Sequence, residues 1–144
     1  MSHFSSKLIA WYEKSARDLP WRHTEDPYYI WVSEIMLQQT QAATVIPYYQ
    51  RFIQTLPTIQ DLAACDEALL MKLWEGLGYY SRVRNMQTTA KVIMSKHQGI
   101  FPNTYEELIQ LKGIGEYTAG AILSIAFHQK RSAVDGNVLR VLSR

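Results

Sequence analysis

Helical periodicity without strand-like alternation constrains this chain most. Apolar residues recur at three- and four-residue spacing along almost all of its 144 residues, and no stretch alternates cleanly. Gly, Pro and Asp punctuate the pattern at short intervals. Phe4, Leu8, Trp11 and Tyr12 form a first stripe, which Leu19-Pro20-Trp21 ends. Asp26-Pro27 leads into a helix over roughly residues 28–38, with Pro27 suited to its first turn. A helix at about 41–56 contains Pro47 and should kink or restart there. Pro57-Thr58 starts a short helix, and Asp66 should cap the one holding Leu69, Leu70, Leu73 and Trp74. Gly76-Leu77-Gly78 breaks the chain before a helix over Tyr79–Lys96, which His97-Gln98-Gly99 ends. Helices near 104–111 and 116–128 flank Gly113-Ile114-Gly115, and Asp135 opens the last one. The fold class expected is all-α with short loops.

At 47% hydrophobic and 19% charged, the chain can bury a real core as one domain. A net charge of +2 permits a nucleic-acid partner without demanding one. The single cysteine, Cys65, excludes an internal disulfide and a cysteine-rich metal site, and fits a reducing cytosol. No apolar run approaches the roughly 20 residues of a membrane span, and Met1–Lys7 has no secretory pattern. Val138, Val141 and Leu142 give Gly136–Arg144 one apolar face, but the pattern stops with no cap, Gly or Pro. The chain therefore reads as cut short.

Two carboxylates carry the chemistry. Glu34 stands inside the apolar run Tyr28–Leu37, where desolvation raises a carboxyl pKa and suits the group to donate a proton. An exposed Glu on a two-faced helix is the plain alternative. Asp135, in Val134-Asp135-Gly136-Asn137, opens a helix, and backbone N–H groups there keep a carboxylate charged. The cap and a catalytic role are compatible. One acid kept protonated and one kept ionised is the division of labour that cleaves a glycosidic bond. Asn137 can orient a water or Asp135, or simply sit on the surface.

Between the two acids, Gly113-Ile114-Gly115 opens a helix and can turn backbone N–H groups towards a phosphate; a tight helix–helix turn is the alternative. Gln38, Gln39, Thr40 and Gln41 place amides and a hydroxyl just after Glu34, where they can pair with base edges or fill a gap in a duplex. Leu77-Gly78-Tyr79-Tyr80-Ser81-Arg82-Val83-Arg84 follows a flexible break. An exposed Leu77 or Tyr79 there can wedge into a base stack, with Arg82 or Arg84 near phosphate. Lys112, Arg140 and Arg144 are further phosphate candidates or ordinary solvated charge. His3, His23, His97 and His128 have no ligand-spaced partner, and no residue is assigned to a metal. The four tryptophans read as core.

Five motifs in order resemble the MutY-type adenine DNA glycosylases of the helix-hairpin-helix superfamily shared with endonuclease III. They are Leu19-Pro20-Trp21-Arg22, Ser33–Gln41, Trp74–Tyr80, Leu111–Ala119 and Val134–Val138. The resemblance runs from Trp11 to Arg144. It implies a six-helix barrel over residues 22–144, with a helix-hairpin-helix at about 105–128. Residues 1–21 would be an N-terminal helix belonging to a mostly missing iron-sulfur domain.

The family flips adenine mispaired with 8-oxoguanine or guanine from double-stranded DNA and hydrolyses its N-glycosidic bond. By resemblance, Glu34 protonates the base, Asp135 stabilises the oxocarbenium-like sugar, and Tyr117 and Asn137 support them. Gln39, Thr40, Leu77, Gly78 and Tyr79 probe the gap around the opposing base. Arg22 lines the adenine pocket. Arg82, Lys112, Gly113 and Gly115 contact the backbone.

Tyr117 stands where the lyase branch carries a lysine, so a monofunctional hydrolase is expected. The family's 4Fe-4S cluster takes four cysteines that this chain lacks, so none is expected here. The apolar N-terminal stripe would then be exposed, self-associated or repacked on an otherwise monomeric protein. Cytoplasmic, nucleoid-associated action in a bacterium follows from the same resemblance. A non-catalytic helix-hairpin-helix DNA-binding module and an endonuclease III-like lyase, which Tyr117 disfavours, are the alternatives.

Overall fold

The computed structural model describes residues 19–38 and 40–129. They form a 3-10 turn at Pro20–His23 and seven α-helices, with no strand among the described residues. The helices are α1 (Pro27–Leu37), α2 (Ala42–Thr55), α3 (Ile59–Ala64), α4 (Glu67–Trp74), α5 (Ser81–Lys96), α6 (Tyr105–Ile109) and α7 (Glu116–Phe127). The all-α expectation holds. The N-terminal stripe Phe4, Leu8, Trp11 and Tyr12, and the helix expected from Asp135, lie outside the described residues.

Helix α1 is the hub. The Asp26 carboxylate accepts a hydrogen bond from the Tyr28 N–H at 2.9 Å, and Pro27 fills the first position, where a missing N–H costs nothing. Tyr28, Ile30, Trp31, Val32, Ser33, Ile35 and Met36 are all buried, so apolar residues face inward on nearly every side. A helix patterned this way belongs in the middle of a domain. Helix α1 packs against α2, α7 and the 3-10 turn. Hydroxyls of Tyr28 and Tyr29 donate to the Leu56 and Pro57 carbonyls at 2.7 and 2.8 Å, tying α1 to the end of α2. Edge-on ring pairs fill the core: Trp31 on Phe101, Phe52 on Trp74, and Trp21 on Tyr49. Trp21, Trp31 and Trp74 are core residues, as the sequence reading holds; Trp11 lies outside the described residues. Because Trp21 is buried against Tyr49, a boundary at residue 21 would cut through the 3-10 turn and its core contact.

Several local expectations shift. Helix α2 runs through Pro47 without interruption. The bond lost is to the Ala43 carbonyl, one turn earlier, and Ala43 is exposed so water can satisfy it. Asp66 holds the N-cap position of α4, but its side chain makes no cap hydrogen bond; its backbone carbonyl takes the Leu70 N–H at 3.0 Å. Helix α5 starts at Ser81, because Tyr79 has φ of 50° and cannot be helical. Thr58 builds a full capping box with Asp61 at the start of α3, and Thr104 caps α6 by accepting from the Glu107 N–H. Gln87, on α5, donates to the Leu62 and Cys65 carbonyls and locks α5 against α3.

Candidate active site and nucleic-acid interface

Helices α1 and α7 pack together, and their contact assembles the first part of the site. Glu34 is partly buried there, between the buried Ser33 and Ile35. Burial pushes its carboxyl pKa above the ordinary range, and the positive charge of Arg22 pulls the other way. Desolvation outweighs the pull of Arg22, so the net shift is upward. Tyr117, on the first turn of α7, is more than half exposed. Its hydroxyl pKa is raised first by the Glu34 charge and then by burial, which puts the two side chains within each other's field. Arg22, Glu34 and Tyr117 thus converge from the 3-10 turn, α1 and α7.

The hairpin between α6 and α7 is built on small, specific devices. Leu108, Leu111 and Ile114 are buried and hold it to the core. The Leu111 N–H bonds the Leu108 carbonyl at 3.1 Å, and the Ile114 N–H bonds the Leu111 carbonyl at 3.1 Å. From α5, the wholly buried Thr89 hydroxyl donates to the Lys112 carbonyl and pins the turn. Gly113 has φ of 82°, so a side chain there would be strained. Gly115 is extended, with φ of −90°, and a β-carbon on it would meet nothing within 4 Å. It is the N-cap of α7 and supplies no side-chain cap. Lys112, Gly113 and Gly115 are exposed. The first-turn N–H groups of α7 therefore sit at an open helix end without a side-chain cap, where the exposed Glu116 offsets part of the positive pole that an anion would meet.

Two further turns carry the residues expected to enter a duplex. After α1, Gln38 is exposed and Thr40 half-buried; Gln39, between them, lies outside the described residues. After α4, Gly76, Gly78 and Tyr79 all have positive φ. Leu77 is buried, at 8% exposure, so the side chain standing out from this turn is Tyr79, at 67%. Tyr80 is also exposed. Arg84 reaches Glu67 at 3.8 Å on the surface, a pair of small energetic weight. The Arg82 guanidinium turns inward: Nη1 donates to the carbonyls of Ile35 and Gln38 at 2.7 and 2.6 Å. No sequence signal pointed to that contact, because nothing in local spacing relates residue 82 to residues 35 and 38. Asp135, Asn137, Arg140 and Arg144 lie outside the described residues.

A sequence model of the HhH-GPD superfamily of base excision DNA repair proteins matches residues 32–144, which takes in Glu34, both turns and the hairpin. The chain belongs to the HhH-GPD superfamily. Among the relatives of this HhH-GPD protein, the adenine DNA glycosylase of Buchnera aphidicola subsp. Baizongia pistaciae (strain Bp) is 50% identical over 142 residues, which is 98% of this chain and 40% of that protein. The Homo sapiens adenine DNA glycosylase is 51% identical over 150 residues, again 98% of this chain but 28% of that protein. The chain thus spans well under half the length of these relatives. Among solved structures, a thermostable thymine-DNA glycosylase matches with a TM-score of 0.81 at 30% identity, over 99% of this chain and 66% of that one. A non-covalent endonuclease III–DNA complex matches with a TM-score of 0.72 at 25% identity, over 98% and 67%.

A 4Fe-4S cluster takes four thiolates, and the 144 residues hold one cysteine. Cys65 donates its thiol hydrogen to the Asp66 carbonyl at 3.3 Å, and burial raises its pKa, which disfavours the thiolate a metal needs. Among the described residues no group of three His, Cys, Asp or Glu could hold a metal ion. The residues present do not fit a cluster. Among the described residues no helix is long and apolar enough to cross a membrane.

Proposed function

We propose that this protein is an adenine DNA glycosylase, which removes adenine mispaired with 8-oxoguanine or guanine by hydrolysing its N-glycosidic bond. The observation that carries this reading is the desolvated Glu34 carboxyl, raised in pKa at the contact of α1 and α7 with Arg22 and Tyr117 beside it. Half-identity to adenine DNA glycosylases along 98% of the chain supports the base. The likeness to a DNA-bound endonuclease III supports duplex DNA as partner. The place of action follows the substrate, which in a bacterial cell is the nucleoid.

The chemistry divides as follows. Glu34, whose carboxyl pKa burial raises, donates in its protonated form to an adenine ring nitrogen. The base then takes the electron pair of the C1′–N9 bond as that bond breaks. Asp135, ionised, stabilises the cationic sugar until water adds at C1′ and passes its proton to the Glu34 carboxylate, which restores the acid. Tyr117 supports Glu34, and Asn137 supports Asp135. Arg22 lines the pocket for the flipped base. The first-turn N–H groups of α7 with Lys112, Gly113 and Gly115 hold a backbone phosphate. Gln39, Thr40 and Tyr79 occupy the gap in the duplex, with Gly78 and the buried Leu77 shaping the turn that presents Tyr79. Tyr117 offers no amine for a Schiff base, so the reaction stops at the abasic site.

The test is single-turnover adenine release from a duplex with adenine opposite 8-oxoguanine, revealed by alkali, for the chain and its Glu34→Gln variant. Release that vanishes in the variant supports the reading. Undiminished release in the variant refutes the role of Glu34. Absence of release from both, with duplex binding intact, means that these 144 residues act only as a DNA-binding fragment and that the site needs further sequence to be finished.

A further inference from the structure

Arg82 ties together backbone segments that lie more than forty residues apart in sequence. Its Nη1 donates to the carbonyls of Ile35, in the last turn of α1, and of Gln38, just past that helix, at 2.7 and 2.6 Å. Its Nη2 reaches the carbonyls of Leu77 and Gly78 at 3.4 Å each. The guanidinium carbon lies 5.3 Å from the Trp74 ring centroid and 5.8 Å from that of Tyr79. A cation at the end of α1 also meets the negative pole of that helix. The Nε of Arg82 is buried with no hydrogen-bond partner among the described residues, so the arrangement is costly to keep. All four acceptors are backbone oxygens, and they belong to two turns far apart in sequence. One turn leads into Gln39 and Thr40, and the other carries Leu77, Gly78 and Tyr79.

We propose that Arg82 is a positioning residue rather than a phosphate contact, because its guanidinium fork fixes the end of α1, at the Ile35 and Gln38 carbonyls, and the 76–80 turn at one mutual spacing. The two turns then enter the gap opposite the extruded base as a unit, and the identity of the opposing base is judged against that fixed spacing. Only a planar fork can serve both turns. A lysine keeps the charge but presents one point donor set and cannot span them. For its specificity arm the proposal rests on the adenine-mispair reading.

The experiment compares the wild-type chain with Arg82→Lys on two measurements, after a thermal melt shows that the variant is folded. The first is equilibrium binding to duplexes carrying a non-cleavable adenine analogue opposite 8-oxoguanine or opposite guanine, at several salt concentrations. The preference between the two duplexes should fall about tenfold, because a displacement of about 1 Å can cost that much or more. The salt slope should stay unchanged. A phosphate contact would behave otherwise: lysine would restore binding, and loss of charge would weaken every duplex alike while the slope falls by about one. The second is hydrogen exchange in the free protein. Amides of both 38–41 and 76–80 should exchange at least tenfold faster in the variant, with α2 unchanged.

Exchange confined to 76–80, a uniform loss of affinity, or wild-type behaviour in both measurements would overturn the proposal. A wild-type chain that binds neither mispaired duplex better than a fully matched one would refute the mispair reading instead, and exchange would still decide the role of Arg82. Should Arg82→Lys not fold, Arg82→Gln takes its place with the same expected results.

Discussion

Replacing each hairpin glycine in turn by alanine should separate what the turn does for the fold from what it does for DNA. At Gly113 φ is 82°, and a β-carbon would touch Asn85 Cβ at 3.4 Å, an ordinary contact. The cost is therefore conformational: about 1–2 kcal/mol for an L-residue in the left-handed region. Part of it, about 0.4–1 kcal/mol, returns because alanine has fewer unfolded conformations to lose. The net loss is about 1 kcal/mol, or about 3–5 °C in melting temperature for a chain of this size.

At Gly115 the backbone is extended and the space beside it is open. Alanine is the poorer N-cap by about 0.5 kcal/mol, and the unfolded-state gain offsets that. Stability should stay within the error of a melt. The added methyl would instead stand where a phosphate approaches the first turn of α7. Loss of one hydrogen bond to a charged group is worth about 1.5–3 kcal/mol, so duplex affinity should fall by about ten- to a hundredfold. Thermal melts and duplex titrations at fixed salt, run on both variants, give the four numbers. If Gly115→Ala melts as early as Gly113→Ala, or binds duplex as well as wild type, the assignment of the α7 terminus to phosphate is wrong.

Three other outcomes follow from the same geometry. Burial raises the Glu34 pKa above its unfolded value, so ionised Glu34 costs stability, and that cost grows as pH rises above the ordinary carboxylate range. Glu34→Gln should therefore melt higher than wild type at neutral pH and lose this advantage near pH 4, while base release by the wild type declines as pH rises through the raised pKa; a melting difference that does not change with pH would contradict the desolvation argument. Thr89→Val removes the buried hydroxyl that holds the Lys112 carbonyl and should cost about 1 kcal/mol, with weaker duplex binding, as read by denaturant unfolding and titration. Abasic product should remain an intact strand until alkali is added, and spontaneous breaks on a denaturing gel would revive a lyase mechanism despite Tyr117.

Local chemistry wrote much of this protein in plain view. Asp26-Pro27 before an apolar run announces α1, and the structure starts that helix at Pro27. Gly113 and Gly115 between two helical stretches announce the hairpin. A carboxylate in an apolar run announces Glu34 as a group out of place, and α1 proves buried on nearly every face around it. These features are legible because caps, glycines and helical period act over a few residues. The same range explains the local misses. Pro47 looks like a break until the exposure of Ala43 is known, Asp66 looks like a side-chain cap until its carboxylate is placed, and Leu77 looks like a wedge until it is buried.

What spacing could not supply is convergence. The field that Glu34 exerts on Tyr117 exists because α1 packs on α7, and the opposing pull of Arg22 because the 3-10 turn packs on α1. Arg82 reads in sequence as a basic residue beside tyrosines, fit for a phosphate. Only the packing brings the Ile35 and Gln38 carbonyls to its guanidinium. Sequence determined which residues are helical and which are chemically able; tertiary structure decided which of them meet, because hydrogen bonds and desolvation act through distances in space that periodicity does not encode.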